Sequence, residues 1–316
     1  MRILLVHTGG TIGMTQTTEG FAPMAGVVEE AVQGLIAAGD TAANVTIQTL
    51  EPLIDSAQAT PADWIRVAQC IYDAGATCDG VVVTHGTDTL AYTAGALCLA
   101  LAGLDKPVIV TGSMLPLTVE GSDGLGNLRA ALKAAGTCQP GVWVQFAGQL
   151  LHGARVRKSH SSAFEAFEAE PSEVPPLFGA ERAGLNAFAP HKVSIFSITP
   201  GPNTDVLSFA VEHSDGLVLR CYGSGTAPDT PEMRAALGRA QQRQIPVIAV
   251  SQCPEGGMKL GTYAAGQVMR DNNVVDGRDT TPEMAYVKMH AALSLHSTYA
   301  ARCAFLAQSQ VGEFGL

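Results

Sequence analysis

Three short polar segments, each directly after an apolar run, contain the residues that could do chemistry. They are His7 to Gly13, Thr84 to Thr89 and Thr111 to Met114. Their hydroxyl groups could come close to a bound ligand. Their glycines let backbone amides approach a ligand, and a helix start in the second segment suits an oxyanion or a carboxylate. Plain strand-to-helix connections are the alternative, in which Asp88 and Thr89 simply cap the helix.

The sequence lacks the signatures of several other chemistries. Glycines at positions 9, 10 and 13 do not match the dinucleotide-binding spacing G-x-G-x-x-G, and Glu29 and Glu30 lie only roughly where a ribose-binding acid would lie. No G-x-x-x-x-G-K-[ST], G-x-S-x-G or H-E-x-x-H occurs. The histidines and the seven cysteines are scattered without a C-x-x-C pair, so we expect neither a metal nor a cofactor.

Composition and charge exclude further classes of function. Of the 316 residues, 47% are apolar and 15% are charged, which is typical of a compact globular protein. The net charge of −10 and the lack of a basic run argue against nucleic-acid binding. The uncharged stretch from Thr89 to Leu104 contains polar positions and predicts a buried helix, so we expect no membrane association. The N-terminus shows no secretory signal, which favours the cytoplasm.

A parallel sheet is expected to position the three polar segments. Runs rich in Val, Ile and Leu alternate with stretches at helical spacing, which predicts an α/β fold whose sheet is covered on both faces. The predicted strands are Arg2 to His7, Val45 to Leu50, Gly80 to Thr84, Val108 to Thr111 and Val142 to Phe146. The predicted helices are Val27 to Ala38, Pro61 to Ala74, Leu90 to Leu104 and Gly124 to Ala135. Ligands bind such sheets beyond the carboxyl ends of the strands, where strand order reverses.

Residues 165 to 191 are rich in Glu, Ala and Pro and have no sustained period. We therefore predict an N-terminal catalytic α/β domain over residues 1–180, a linker over 181–191 and a smaller α/β domain over 192–316. The elements predicted in the smaller domain are strands at Lys192 to Ile198, Gly216 to Cys221 and Pro246 to Ser251, and helices at Thr204 to His213, Pro231 to Arg243 and Pro282 to about Ala307.

Two of the polar segments, taken together, resemble the signature segments of the bacterial L-asparaginases, most closely the cytoplasmic type I enzymes. The matching residues are Thr8 to Gly13 and His85 to Thr89. The similarity continues in the blocks Asp55-Ser56, Thr60 to Trp64, Lys106 to Ser113, Ser122 to Gly124, Tyr222 to Gly225 and Ser251 to Cys253. It implies a larger N-terminal flavodoxin-like domain, a smaller C-terminal α/β domain, and a homo-oligomer, dimer or tetramer, with sites at the subunit interface.

The resemblance also implies roles for individual residues. Thr11 matches the primary nucleophile, and the second catalytic group comprises Thr87, Asp88 and Lys158. The substrate-binding positions are Asp55, Ser56, Thr87, Asp88, Ser113 and Met114, of which Ser56 and Asp88 would hold the α-carboxylate and the α-ammonium. The implied reaction is hydrolysis of L-asparagine to L-aspartate and ammonia, with slower hydrolysis of glutamine as a further expectation.

This chemistry places demands on the lysine and on the backbone. A threonine hydroxyl is a weak nucleophile that needs a base, and lysine can be that base only when it is neutral. The resemblance therefore requires a sequestered Lys158, whereas the residues alone favour an exposed lysine between charged neighbours. Backbone amides near Thr87 and Met114 would stabilise the oxyanion.

Three departures from the family pattern concern the flap, regulation and the subunit contact. Phe21 stands in the flap, ten residues after Thr11, where the family has a tyrosine whose hydroxyl assists the nucleophile. Arg157 precedes the catalytic lysine where regulated enzymes have threonine, so allosteric control through Arg220 and Cys253 is not expected. Thr226 stands where an asparagine often follows the Tyr-Gly segment.

Phe21 also motivates an alternative function. A relative whose chemistry is weakened could bind an amino acid and act as a regulatory protein. The presence of Thr11, Thr87, Asp88 and Lys158 favours the enzyme.

Overall fold

The computed structural model describes residues 1–41, 44–179 and 184–315. It divides into two compact units, Met1–Asn186 and Ala187–Leu316. The domain boundary predicted after residue 180, and the start of the predicted linker, lie outside the described residues. Part of the Glu-, Ala- and Pro-rich segment is ordered as a strand of the first unit.

The first unit contains twelve strands and four α-helices among its described residues. The strands are β1 (Arg2–Gly9), β2 (Met14–Thr17), β3 (Gly20–Pro23), β4 (Asn44–Ile54), β5 (Gly80–Thr84), β6 (Leu101–Ala102), β7 (Pro107–Thr111), β8 (Gly141–Phe146), β9 (Gln149–His152), β10 (Val156–Lys158), β11 (Phe167–Ala169) and β12 (Gly184–Leu185). The helices are α1 (Val27–Ala37), α2 (Pro61–Ala74), α3 (Leu90–Ala100) and α4 (Gly124–Ala134).

The main sheet of this unit has the order β4-β1-β5-β7-β8-β9. Its first five strands are parallel, and their order is the flavodoxin-like doubly wound order, so the predicted fold class is confirmed. Strands β5 and β7 are buried along their whole length, as their continuous apolar runs predict. The sixth strand, β9, is antiparallel, and its four residues are too few to show a sequence period.

Helix α3 ends earlier than the predicted Leu90 to Leu104. Its last carbonyl groups accept hydrogen bonds from a later segment of the chain: the Phe178 amide donates to the Cys98 carbonyl, and the Asn186 amide donates to the Ala100 carbonyl. Residues 101–102 then pair with β12 as a short antiparallel ladder. The apolar composition continues past Ala100, so the sequence shows no sign of this end.

The second unit contains four strands and five α-helices among its described residues. They are β13 (Val193–Ser197), α5 (Thr204–His213), β14 (Gly216–Cys221), α6 (Pro231–Gln242), β15 (Val247–Ser251), α7 (Gln267–Asp271), β16 (Val275–Asp276), α8 (Pro282–Leu295) and α9 (Tyr299–Ala307). The strands form one parallel sheet in the order β13-β14-β15-β16. None of the helices in the described parts of the chain is long and apolar enough to cross a membrane.

The single last helix predicted from Pro282 to about Ala307 is wrong, because two helices occupy that stretch. Thr298 caps the second one by accepting a hydrogen bond from the Ala301 amide, and Arg302 Nε donates to the His296 carbonyl at the break. No proline or glycine marks this break in the sequence.

A buried ion pair holds the C-terminal segment against α8. Lys288 Nζ lies 2.6 Å from Glu313 Oε1, and neither side chain is exposed. The ammonium group also donates to the carbonyl groups of Leu306 and Gln308. Burial lowers the pKa of Lys288, and the Glu313 carboxylate opposes that shift.

We expect Lys288→Met to lower the free energy of unfolding by about 3–5 kcal/mol, because it leaves the Glu313 carboxylate buried without a cation. Urea unfolding at one fixed protein concentration measures the loss. The double variant Lys288→Met/Glu313→Gln should recover much of it, since no charge is then buried. A loss from Lys288→Met no larger than that from exposed Lys192→Met would contradict the prediction.

Candidate functional site

Four neighbouring strands of the main sheet carry the predicted site segments at their carboxyl ends. Asp55 and Ser56 follow β4, the glycine loop follows β1, the Thr84 to Thr89 segment ends β5, and the Thr111 to Met114 segment ends β7. Strands β1 and β5 flank the point where the strand order reverses. All four segments therefore lie where a doubly wound sheet binds its ligands.

The loops after β4, β1 and β5 touch through two glycines. A Cβ on Gly10, which has φ +87°, would lie 2.4 Å from the Gly86 amide nitrogen. A Cβ on Gly86 would lie 2.3 Å from Ser56 Oγ. Any side chain at either position would separate the loops, so glycine there brings residues 11 and 87 onto neighbouring loops.

Thr11 begins a short 3-10 turn over residues 11–13 and is partly exposed. The hairpin of β2 and β3 follows directly, and Phe21 lies on it opposite Gln16. The Phe21 side chain is 47% exposed. An aromatic ring without a hydroxyl therefore stands on the hairpin that follows the candidate nucleophile.

Lys158 bridges the two polar residues that follow Gly86. Its Nζ donates to Thr87 Oγ1 and to Asp88 Oδ1, each over 2.9 Å. Thr87 is buried, the Lys158 side chain is 22% exposed, and the Asp88 side chain is 62% exposed. The Lys158 side chain is therefore largely buried, whereas the residues alone favoured an exposed lysine at this position.

Two buried histidines support these loops from below. His85 Nδ1 lies 2.8 Å from the Gly86 carbonyl and must donate to it, so Nε2 accepts from the Thr93 hydroxyl at 2.9 Å. Burial lowers the pKa of His85, which keeps this tautomer neutral. Burial likewise lowers the pKa of His7, whose Nδ1 contacts Thr84 Oγ1. The hydrogen bonds of both rings therefore stabilise the loops.

Asp123 organises the segment after β7. Its carboxylate accepts hydrogen bonds from the backbone amides of Met114 and Leu115 at 2.9–3.0 Å and from Asn127 Nδ2 at 3.0 Å. The Asn127 amide group also donates to the Gly112 carbonyl. The Met114 amide, which lies in the region where an oxyanion donor is expected, therefore already donates to Asp123.

Ser113 stands out within this ordered segment. The side chain is completely buried, and its hydroxyl has no hydrogen-bond partner among the described residues. A buried hydroxyl without a partner costs free energy unless a ligand satisfies it. Ser113 is therefore suited to contact a bound substrate.

Two family models match the sequence and between them span most of it. "Asparaginase, N-terminal" matches residues 2–187, and "Glutaminase/Asparaginase C-terminal domain" matches residues 192–305.

The chain belongs to the asparaginase family of amidohydrolases.

Curated and solved relatives agree with this membership. L-asparaginase 1 of Escherichia coli strain K12 is 35% identical over 92% of this chain and 91% of its own length. L-asparaginase of Thermococcus kodakarensis is 33% identical over 93% of both chains. The crystal structure of L-asparaginase I from Vibrio cholerae superposes with a TM-score of 0.89 at 33% identity and covers 100% of this chain and 99% of its own.

In this asparaginase-family chain, Asp55 and Thr89 form hydrogen bonds that the sequence did not predict. The Asp55 carboxylate accepts from the Ala57 amide and from Gln58 Nε2, which fixes the turn that holds Ser56. The Thr89 hydroxyl does not cap α3 but donates to the Ser56 carbonyl. Both residues position Ser56 beside the loop that carries Thr87.

Sequence reasoning gave no role to Asp123 or Asn127. An aspartate directly before a helix is usually interpreted as its cap, and Asp123 does precede α4. The structure shows no side-chain cap there, since the carboxylate is directed to the loop after β7. The i,i+4 spacing of Asp123 and Asn127 was the one available signal.

Within residues 1–41, 44–179 and 184–315, no cluster of three or more His, Cys, Asp or Glu side chains could hold a metal ion.

Proposed function

We propose that the chain hydrolyses L-asparagine to L-aspartate and ammonia with Thr11 as the nucleophile and without a cofactor or a metal. The observation that carries the proposal is the contact of Lys158 Nζ with both Thr87 and Asp88, on the loop that packs against Gly10. Family membership and the names of the relatives support the same substrate.

In the first half-reaction, Thr11 Oγ attacks the side-chain amide carbon and its proton passes to the leaving nitrogen, which departs as ammonia. The bond formed is an ester between Thr11 and the aspartyl group. In the second half-reaction, Thr87 Oγ1 positions and deprotonates a water molecule that attacks this ester. Lys158, in its neutral form, accepts the Thr87 proton through the contact already present. As the ester C–O bond breaks, this proton returns to Thr11 Oγ, and aspartate and free Thr11 are released.

Substrate binding uses the ring of polar groups around this centre. Asp88, still largely exposed, attracts the α-ammonium, and Ser56 donates to the α-carboxylate. The unpartnered Ser113 hydroxyl contacts the side-chain amide. With the Met114 amide occupied by Asp123, the Thr87 side of the site is left to provide the oxyanion donor.

We further propose that the protein is a cytoplasmic homo-oligomer, dimer or tetramer, that acts on small amino acids and binds neither nucleic acid nor membranes. Glutamine should react more slowly than asparagine, since its longer side chain displaces the amide carbon from Thr11. The net charge of −10 supports the expectation for nucleic acid.

Ammonia release by the purified protein tests the proposal. With asparagine, we expect ammonia and aspartate in equal amounts, and a lower rate with glutamine. Asparagine binding seen by calorimetry without ammonia release would instead support the amino-acid-binding regulatory protein.

We expect Phe21→Tyr to raise kcat for asparagine about tenfold, because one added hydrogen bond to the Thr11 hydroxyl in the transition state is worth about 1–1.5 kcal/mol. Initial rates of ammonia release at saturating asparagine measure this change. Phe209→Tyr adds the same hydroxyl to an exposed ring in the second unit and should leave kcat unchanged. An unchanged or lower rate for Phe21→Tyr would show that the flap hydroxyl does not limit this enzyme.

Asp123→Asn should lower kcat about 10- to 100-fold, because hydrogen bonds to a charged acceptor are worth about 1.5–3 kcal/mol and hold the segment that contains Ser113. Circular dichroism checks that the folded fraction is the same. Asp105→Asn, at a side chain that is 90% exposed, is the matched control. Equal kcat values for the two variants would remove Asp123 from the positioning machinery.

A further inference from the structure

A large cavity in the second unit has no part in the chemistry described above. Its volume is about 1060 Å³. It lies beside β16 and α9, and includes the loop that follows β15. The lining, as far as the residues are described, does not include Arg220 or Cys253.

The charged groups around this cavity are mostly cationic. Lys259, Arg270 and Arg278 line it together with one acid, Asp276. Both Asp276 oxygens already accept backbone hydrogen bonds, from Leu260 at 2.8 Å and from Arg278 at 2.9 Å. Lys259 and Arg270 have no carboxylate within ion-pair distance in the described parts of the chain. An anion placed in the cavity would therefore meet three cationic side chains and one carboxylate, in a protein whose net charge is −10.

Arg270 is held in place before any ligand binds. Its guanidinium lies against the backbone of Gly261, where a Cβ would come within 2.1 Å of Nη1. It donates to the Gly261 carbonyl and to Gln267 Oε1. A guanidinium fixed in this way loses little conformational entropy when it binds a carboxylate, and its planar fork suits that group.

Another part of the lining is apolar. Met258 and Val274 are buried, and Ala304 and Ala307 of α9 complete this wall. Cavities of roughly 300–1,000 Å³ with apolar walls and a few polar groups are typical of small-molecule sites. The volume and the two kinds of wall thus fit a molecule that is anionic at one end and apolar at the other.

Two of the four non-glycine residues with positive φ in the described parts of the chain line the cavity. They are Asn273 and Arg278, both with φ +54°. Residues in sparsely populated backbone conformations occur preferentially at ligand-binding and active sites. The Arg278 guanidinium lies 5.4 Å from the centre of the Phe314 ring, so the C-terminal segment holds this residue in position.

We propose that this cavity is a binding site for a small organic anion with one carboxylate and an aromatic or branched apolar body. Lys259 and Arg270 bind the carboxylate, and the wall formed by Met258, Val274 and α9 contacts the apolar body. This site uses none of the residues proposed to hydrolyse asparagine, so the result of its test does not depend on the proposed function.

Isothermal titration calorimetry with a pair of matched probes tests the proposal. We expect 2-naphthoate to bind at least about tenfold more tightly than the neutral 2-naphthamide, because only the carboxylate pairs with the two cations. Equal affinities would overturn the assignment of an anion site.

Two variants test which side chains contribute to the binding of 2-naphthoate. Arg270→Gln should weaken 2-naphthoate binding about tenfold, and Lys259→Gln should weaken it several-fold, whereas Arg239→Gln on α6 should leave it unchanged. Arg239 is an exposed arginine of the same unit, paired with Glu212. Equal affinity in Arg270→Gln, Lys259→Gln and Arg239→Gln would place the probe elsewhere.

Thiol protection reports the position of the probe directly. Cys303 lines the cavity, whereas Cys70 lies on α2 in the first unit, and burial raises the pKa of both thiols. We expect 2-naphthoate to slow alkylation of Cys303 and not that of Cys70, as measured by mass spectrometry of the digested protein. Unchanged alkylation of Cys303 at a saturating probe concentration would contradict the proposal.

Discussion

Thr11→Val is expected to lower kcat for asparagine by at least about 10³-fold, because valine keeps the shape of the side chain but offers no oxygen to form the acyl-enzyme. Residual turnover would come only from substrate positioning and oxyanion stabilisation. The measurement is the initial rate of ammonia release, and rapid-quench mass spectrometry should show no aspartyl adduct in this variant.

Thr137→Val is the control for that result. Thr137 is exposed in the same unit, and its hydroxyl donates to the Lys133 carbonyl. Its kcat should stay within about twofold of the parent, as for surface substitutions in general. An aspartyl adduct that persists in Thr11→Val would assign the nucleophile to another residue, with Thr87 as the first candidate.

Lys158→Met should lower kcat by about 10²- to 10⁴-fold, which is the usual contribution of a positioned proton acceptor. The methionine side chain fills similar space but cannot contact the Thr87 hydroxyl or the Asp88 carboxylate as the ammonium does. Steady-state kinetics over a range of asparagine concentrations separate this loss from a change in KM, which should rise less than kcat falls.

Two neighbours make that experiment specific. Lys133→Met removes an exposed lysine at the end of α4, and Arg157→Met removes the cation next to Lys158, which pairs with Glu168 instead. Both variants should keep kcat near that of the parent. Normal activity in Lys158→Met would contradict the assignment of Lys158 as the base.

The parallel core of the first unit is predictable from sequence because its strands are buried on both faces. Continuous Val and Ile runs such as those of β5 and β7 have no other stable placement. The ends of α3 and the break between α8 and α9 are different in kind. The end of α3 depends on hydrogen bonds from a segment far away in sequence, such as that of the Phe178 amide, which local periodicity does not record. The break between α8 and α9 is held by local contacts of Thr298 and Arg302, which the apolar pattern does not reveal.

The candidate site likewise contains some features that the sequence predicts and others that it does not. The hydroxyl and glycine segments could be recognised because strand ends and helix starts show in the local pattern. The Asp123 contact with Met114 could not, because an aspartate before α4 has an ordinary local explanation. The pairing of Lys158 with Thr87 spans 71 positions, and the resemblance suggested it where the residues alone did not.

The protonation state of the two imidazoles under the loops has a consequence for how rate profiles should be interpreted. His85 donates through one ring nitrogen and accepts through the other, and burial disfavours a second proton on it or on His7. Burial therefore favours the uncharged form of both rings beneath the reacting groups near neutral pH. Any ionisation that governs turnover near neutrality reports on the substrate and the residues that touch it.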